Sequence, residues 1–396
     1  MQEKKTSQLE FVALMASLMA MVALSIDALL PALQDIGLSI GFQNTTDGQW
    51  LITMIFLGLG IGQLFLGPLS DTYGRKKVIY LGLLLFILSS FVCIYSASIE
   101  MMIVGRVLQG IALSAPRTVS ISMIRDSYQG DYMAKVMSFV TVIFIIVPTI
   151  APALGKLILD VYSWQAIFYS QLLFVIIVGS WFAIRQPETL KITHRIPFNV
   201  NVIRNGIKET FSYKQTALCT AISALITGAF MVYLSASQQV FQLQYGLVDE
   251  FPYIFASLAL TVGGSTFLSG QLVMKFGMKS LLKWALLGFA ATATVYVVLF
   301  YNSPNPPMPV LLSFFGIQFF CLGFIFGNLR ALMMQPIGHI AGVGAAITGF
   351  TATLFSVPLA ALIGSFIHTT ALPMFIGFAC CGCLSVVLYM QLKTTS

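Results

Sequence analysis

Residues 11–26 read FVALMASLMAMVALSI and carry no charge. Apolar runs of about 20 residues recur to the end of the chain, each long enough to cross a ~30 Å hydrocarbon core as a helix. No other feature restricts the fold so strongly. Within hydrocarbon every backbone amide and carbonyl must bond inside the protein, which leaves helices or a closed barrel. Barrels are built from alternating segments of about ten residues, and the sequence has no such pattern. The chain is 58% hydrophobic and 9% charged, whereas soluble domains carry roughly a quarter charged residues. Mean hydropathy is +0.89. The pattern predicts an all-α polytopic membrane protein.

About twelve spans are predicted from the run lengths. Those of the first half fall near 9–31, 49–69, 78–97, 101–123, 135–159 and 165–185. Those of the second fall near 215–237, 253–274, 281–301, 309–334, 342–367 and 371–392. The longest polar stretch, 186–214, separates the six-helix halves 1–185 and 215–396. The net charge of +7 is spread over alternate loops, so it is not a nucleic-acid patch. One set holds Lys4, Lys5, Arg75, Lys76, Lys77, Arg125, Arg185, Lys191, Arg195, Arg204, Lys208, Lys214, Lys275, Lys279, Lys283 and Lys393. The other holds Asp35, Asp47, Glu100, Asp160, Asp249 and Glu250, with no Lys or Arg in the loops proper. The positive-inside rule then puts both termini in the cytoplasm of a cell (inner) membrane protein, which requires an even number of spans. Lys4 and Lys5 before a long apolar run predict an uncleaved first helix. The six cysteines lie in apolar spans and read as small hydrophobes. "CCGC" at 380–383 has no nearby His, so helix packing is preferred there over a metal.

An internal repeat supports the two halves. "GPLSDTYGRKKVIYLGL" begins at Gly67 and "GQLVMKFGMKSLLKWAL" at Gly270. Gly74 aligns with Gly277 and Lys76 with Lys279, and Met274 stands where the first copy has Asp71. Parallel halves around a midplane site are a transporter architecture. "GLGIG" at 58–62 lies inside a span with no strand before it, so Gly58 and Gly62 read as close helix packing. No P-loop, HExxH or Gly-x-Ser-x-Gly pattern is present. A transporter that is no enzyme, needs no cofactor and works as a monomer on a small molecule and protons is the expectation.

These residues also carry a family resemblance. "GPLSDTYGRKK" resembles the loop signature between the second and third helices of the major facilitator superfamily. "RVLQG", with Arg106, Gln109 and Gly110, resembles its proton-coupled fourth-helix signature. "PTIAPALG", with Pro148, Pro152 and Gly155, resembles the fifth-helix motif of its drug antiporters. "SIDALLPAL", "YLSASQQVFQLQYG" and "QPIGHIAGVGAA" are similar to the Bcr/CflA-type drug:proton antiporter branch. The resemblance implies that Gly67, Asp71, Gly74 and Arg75 form a cytoplasmic gate. In that gate Asp71 caps a helix N-terminus of the other half, and Asp126 is the candidate partner of Arg75. Arg117 and Arg330 depart from the branch, which has small or hydroxyl residues at these places.

Ionisable groups within spans mark ion or proton paths when they face a cavity. Asp27 is one candidate; its bland reading is a hydrated residue at the outer interface. Arg106 sits at similar depth in the same half. Burial favours a neutral carboxyl and a nearby guanidinium favours the carboxylate, so Asp27 reads as the proton carrier and Arg106 as the charge that tunes it. Arg117 follows Arg106 by eleven residues, which returns it to nearly the same helix face about 16 Å deeper. It faces the cavity, or it snorkels to the cytoplasmic end; Arg330 offers the same two readings. Cavity cations favour an anionic or zwitterionic substrate. Tyr233, Gln238 and Gln239 line the cavity or face the outer interface. Lys156 reads as snorkelling. The function expected is proton-coupled export of small organic molecules by alternating access. The alternative is proton-linked import of an anionic metabolite or siderophore-type chelate.

Overall fold

The computed structural model describes residues 7–44, 46–128, 130–195, 200–301 and 303–393; Lys4 and Lys5 lie outside them. The described chain is helical throughout. In order the helices are α1 (Gln8–Asp27), α2 (Leu33–Ile40), α3 (Asp47–Tyr73), α4 (Arg75–Ile94), α5 (Ile99–Ser127), α6 (Gly130–Val161) and α7 (Gln165–Arg185). They continue as α8 (Val200–Ser212), α9 (Lys214–Gln238), α10 (Phe251–Phe276), α11 (Met278–Phe300), α12 (Met308–Met334), α13 (Ala341–Gly364) and α14 (Leu372–Lys393). Among the described residues, 11 helical segments are long and apolar enough to cross a membrane. Helix α6 is 32 residues long and interrupted by Pro148 and Pro152. The all-α fold predicted by hydropathy is the fold observed.

Two compact units form. One holds residues 1–43 and 54–199, the other residues 44–53 and 200–396. In the first, α1 packs on α5, α6 and α7, and α4 packs on α5 and α7. In the second, α9 packs on α12, α13 and α14, while α11 packs on α12 and α14. The polar stretch 186–214 contains α8, which packs on α13 and α9 inside the second unit. The opening of α3 also belongs to that unit: Gln49 Nε2 donates to Gln239 Oε1 at 2.8 Å and to the Gly364 carbonyl at 3.3 Å.

Helix crossings close where side chains vanish. In the first unit an added Cβ at Gly58 would overlap the Val107 carbonyl, and one at Gly110 the Ile55 carbonyl, so α3 and α5 meet backbone to backbone. In the second unit Gly323 of α12 meets Ser265 and the Val262 carbonyl of α10 in the same way. Without a hydrophobic drive between helices in lipid, such close packing is a main source of helix association.

The first span differs from its prediction. Helix α1 ends at Asp27, and the chain passes through a 3-10 turn, Leu30–Ala32, into α2. Pro31 has no amide hydrogen for the Asp27 carbonyl, so the α-helix stops there. The apolar helical segment nevertheless runs on to Ile40. Asp35, expected in a loop, therefore lies in α2.

Substituting Gly110 by Val drives a branched side chain into the Ile55 carbonyl and should destabilise the fold by about 1–3 kcal/mol. At Gly327 an added Cβ would meet only open space, so Ala should be accepted there without change. Thermal midpoints of the two variants in one detergent check this.

Candidate functional site

Asp27 occupies the break between α1 and the 3-10 turn and is 5% exposed. Two features enclose it. Ser25 Oγ donates to the Met21 carbonyl at 2.7 Å and keeps its own hydroxyl within the helix. From α6, Gly155 presses on the turn so closely that an added Cβ would overlap the Ala28 carbonyl. The glycine of the fifth-helix motif is thus the residue that lets α6 approach the turn immediately after Asp27.

Arg106 of α5 is fully buried. Its Nη1 donates to the Ser25 carbonyl at 3.1 Å and to Gln109 Oε1 at 2.9 Å. Gln109 Nε2 donates to Ser90 Oγ of α4 at 2.8 Å, and Ser90 Oγ donates to the Phe86 carbonyl at 2.7 Å. The guanidinium therefore meets α1 two residues before Asp27, through a backbone carbonyl. Burying a charge is tolerable only with such hydrogen bonds around it. Arg106 and Gln109 come together with Ser90 and the Ser25 carbonyl, and Asp27 lies in the same unit two residues beyond Ser25; Ser90 and Ser25 were missed in the sequence, where nothing distinguishes them from other serines in apolar spans. Arg117, further along α5, is half-buried, and Arg330 of α12 is exposed.

At the other end of this unit Arg75 is 2% exposed. It pairs with Asp71 at 2.5 Å and, through Nε, with Asp126 Oδ2 at 2.9 Å. Its Nη1 also donates to Ser70 Oγ at 2.7 Å. Asp71, which the resemblance assigned to a helix cap, thus holds the arginine one turn ahead of it. Gly67 has ordinary room, with Thr118 Cγ2 at 3.5 Å from an added Cβ. Gly74 has φ +105°, a conformation that favours glycine. Glu188, after α7, accepts from the Arg75 and Lys76 amides, both at 3.1 Å, and so caps α4. Thr189 Oγ1 adds a 3.3 Å bond to Asp126. Glu188 was missed because its place beside Gly74 depends on tertiary packing 112 residues from Lys76.

Tyr233, Gln238 and Gln239 lie at the end of α9 and the start of the π-helix that follows it. Tyr233 is 1% exposed, stacked with Phe255 and edge-on to Phe319. Gln238 Nε2 donates to Gln242 Oε1 at 2.8 Å, and Gln239 Nε2 donates to the Ile367 carbonyl at 2.6 Å. All three are buried in the second unit. The chain turns through a short π-helix, Gln239–Gln244, which directs these amides inward. Lys156 pairs with Asp160 at 2.5 Å one turn on.

The Major Facilitator Superfamily family model matches residues 13–361. The chain belongs to the major facilitator superfamily. It is a membrane-embedded transporter of that superfamily and not an enzyme. It is 28% identical over 351 residues to a protein of Haemophilus influenzae named bicyclomycin resistance protein homolog, covering 87% of each chain. It is 27% identical over 356 residues to the multidrug resistance protein MdtL of Salmonella typhimurium, covering 87% of this chain and 86% of that one. These relatives agree with the drug:proton antiporter branch that the motifs resemble. The fold is shared with the xylose transporter XylE from E. coli in its partially occluded inward open conformation, at TM-score 0.72, 14% identity and 98% coverage of both chains.

Removing the Glu188 carboxylate leaves two first-turn amides of α4 without their acceptor. Glu188→Ala should lower stability by about 0.5–2 kcal/mol, the usual cost of a lost cap, and Glu188→Asp should recover part of it. Denaturation midpoints of the purified superfamily member read both.

Proposed function

We propose that this transporter exports small organic molecules in exchange for protons, from a cell (inner) membrane with both termini in the cytoplasm. The observation that carries this reading is Asp27, a carboxyl enclosed at a helix break beside the Arg106–Gln109–Ser90 network. A carboxyl in such a place loads a proton in one state and releases it in another if its surroundings change between them. Arginine remains charged, so it does not carry the proton. Proton entry supplies enough free energy: one charge crossing ~100 mV yields about 2.3 kcal/mol, roughly a fifty-fold gradient for a neutral substrate. The drug-resistance names of the relatives support export, and bicyclomycin is the natural first probe.

Asp27→Asn mimics the protonated carboxyl at nearly unchanged volume. In proteoliposomes under an imposed pH gradient it should abolish gradient-driven transport while leaving the thermal midpoint unchanged. Full coupled transport by this variant removes Asp27 as the carrier. The direction of flux in inverted vesicles separates export from the import of an anionic metabolite or chelate.

The half-buried Arg117, on the face of α5 that carries Arg106, favours a substrate bearing negative charge. A guanidinium forms bidentate, charge-assisted bonds with a carboxylate. Arg117→Ala should weaken anionic or zwitterionic ligands by about 2–3 kcal/mol, and Arg117→Lys should restore only part. Binding of matched cationic, neutral and anionic ligands at one pH checks this; an equal shift for all three makes Arg117 structural.

A further inference from the structure

The second unit contains a cavity of about 390 Å³ where α9 and α11 begin and α12 and α14 end. Its size falls within the ~300–1,000 Å³ of small-molecule sites. Lys279, Ser280 and Lys283 of α11 line one side, and Gln215, Leu332 and Tyr389 the other. The lining has two lysines and no Asp or Glu. Gln215 Nε2 is held by the Leu332 carbonyl at 2.8 Å, and Tyr389 Oη donates to the Lys279 carbonyl at 2.6 Å, so the walls are built rather than loose. Lys283 Nζ lies 5.1 Å from the centre of the Trp284 ring, a cation–π distance.

The internal repeat supplies a comparison. Helix α4 starts after Gly74 (φ +105°, ψ 150°) and α11 after Gly277 (φ 75°, ψ 149°), with nearly the same backbone. At α4 the carboxylate of Glu188 fills the space before the first amides. Beside Gly277 an added Cβ would meet nothing within 4 Å, and the side chains of the first turns of α11, Lys279, Ser280 and Lys283, line the cavity with two ammonium groups and no acid, so the chemistry favours an anion supplied from outside. The apolar part of the surroundings says which kind. Trp284, which lines the cavity, is 65% exposed and sets a large apolar ring at its edge. A soluble anion has no use for this ring; an acyl chain does.

We propose that this cavity binds the phosphate headgroup of an anionic phospholipid, with an acyl chain against the exposed ring of Trp284. Lys279 and Lys283 hold the phosphate as point charges, and Ser280 offers a hydroxyl donor. Basic pockets between membrane helices at the cytoplasmic surface are suited to such headgroups.

The test uses the full chain in phosphatidylcholine nanodiscs doped with tail-brominated phosphatidylglycerol or, in parallel, tail-brominated phosphatidylcholine. Tryptophan quenching is measured, and Trp284→Phe isolates the share of Trp284. Brominated phosphatidylglycerol should quench Trp284 at lower mole fraction than brominated phosphatidylcholine. The Lys279→Ala/Lys283→Ala double variant should weaken the preference about thirtyfold, on the scale of two lysines at an anionic surface. Lys279→Arg/Lys283→Arg should keep it, which separates charge from folding, and Lys275→Ala, outside the cavity, should leave it unchanged. Equal quenching by the two lipids in the unsubstituted protein overturns the proposal, as does a preference that survives loss of both lysines. Inorganic phosphate is the remaining arm. If it shifts Trp284 emission while phosphatidylglycerol shows no preference, the site takes a soluble anion and the lipid is overturned.

Discussion

An amide or carbonyl left unpaired in hydrocarbon costs several kcal/mol, and this constraint organises the whole molecule. It turns every apolar run into a helix. It also makes the hydroxyls fold back on their own helices, as Ser25 does onto Met21, Thr53 onto Gln49 and Ser356 onto Ala352. Where Pro31 denies the Asp27 carbonyl its amide, the chain tightens into a 3-10 turn and then resumes an α-helix. Gly155 lets α6 close on the Ala28 carbonyl just after this break, and the buried Arg106 meets the helix two residues before it, at the Ser25 carbonyl.

The two copies of the repeat share their backbone logic and differ in charge. Glycine brings α3 against α5 and α12 against α10, and left-handed glycines open α4 and α11. The first copy then gathers Asp71, Arg75, Asp126 and Glu188 into a network closed on itself. The second has Met274 in place of the acid and lysines at 279 and 283. A charge network satisfied by its own acids rigidifies the first helix end, whereas the second carries the two cavity lysines on which the proposed anion site rests.

The sequence by itself determined the fold class, because hydropathy over about 20 residues is a local property and the bilayer leaves few alternatives to a helix. It also marked Asp27 and Arg106 as residues in need of partners, since an ionisable group in an apolar span is conspicuous wherever it lies. The partners themselves were decided by tertiary structure. Ser90, Gln109 and the Ser25 carbonyl build the network around Arg106 from three helices, and Glu188 reaches α4 across 112 residues of chain. Hydrogen bonds of that kind leave no periodicity to read. Tyr233, Gln238 and Gln239 show the same dependence: their polarity left open a cavity lining or the outer interface, and the contacts of Tyr233 with Phe319 and of Gln239 with the Ile367 carbonyl come from tertiary packing. Which face of a membrane helix meets lipid, protein or cavity is set by the neighbours it packs against, and those neighbours lie far away in sequence.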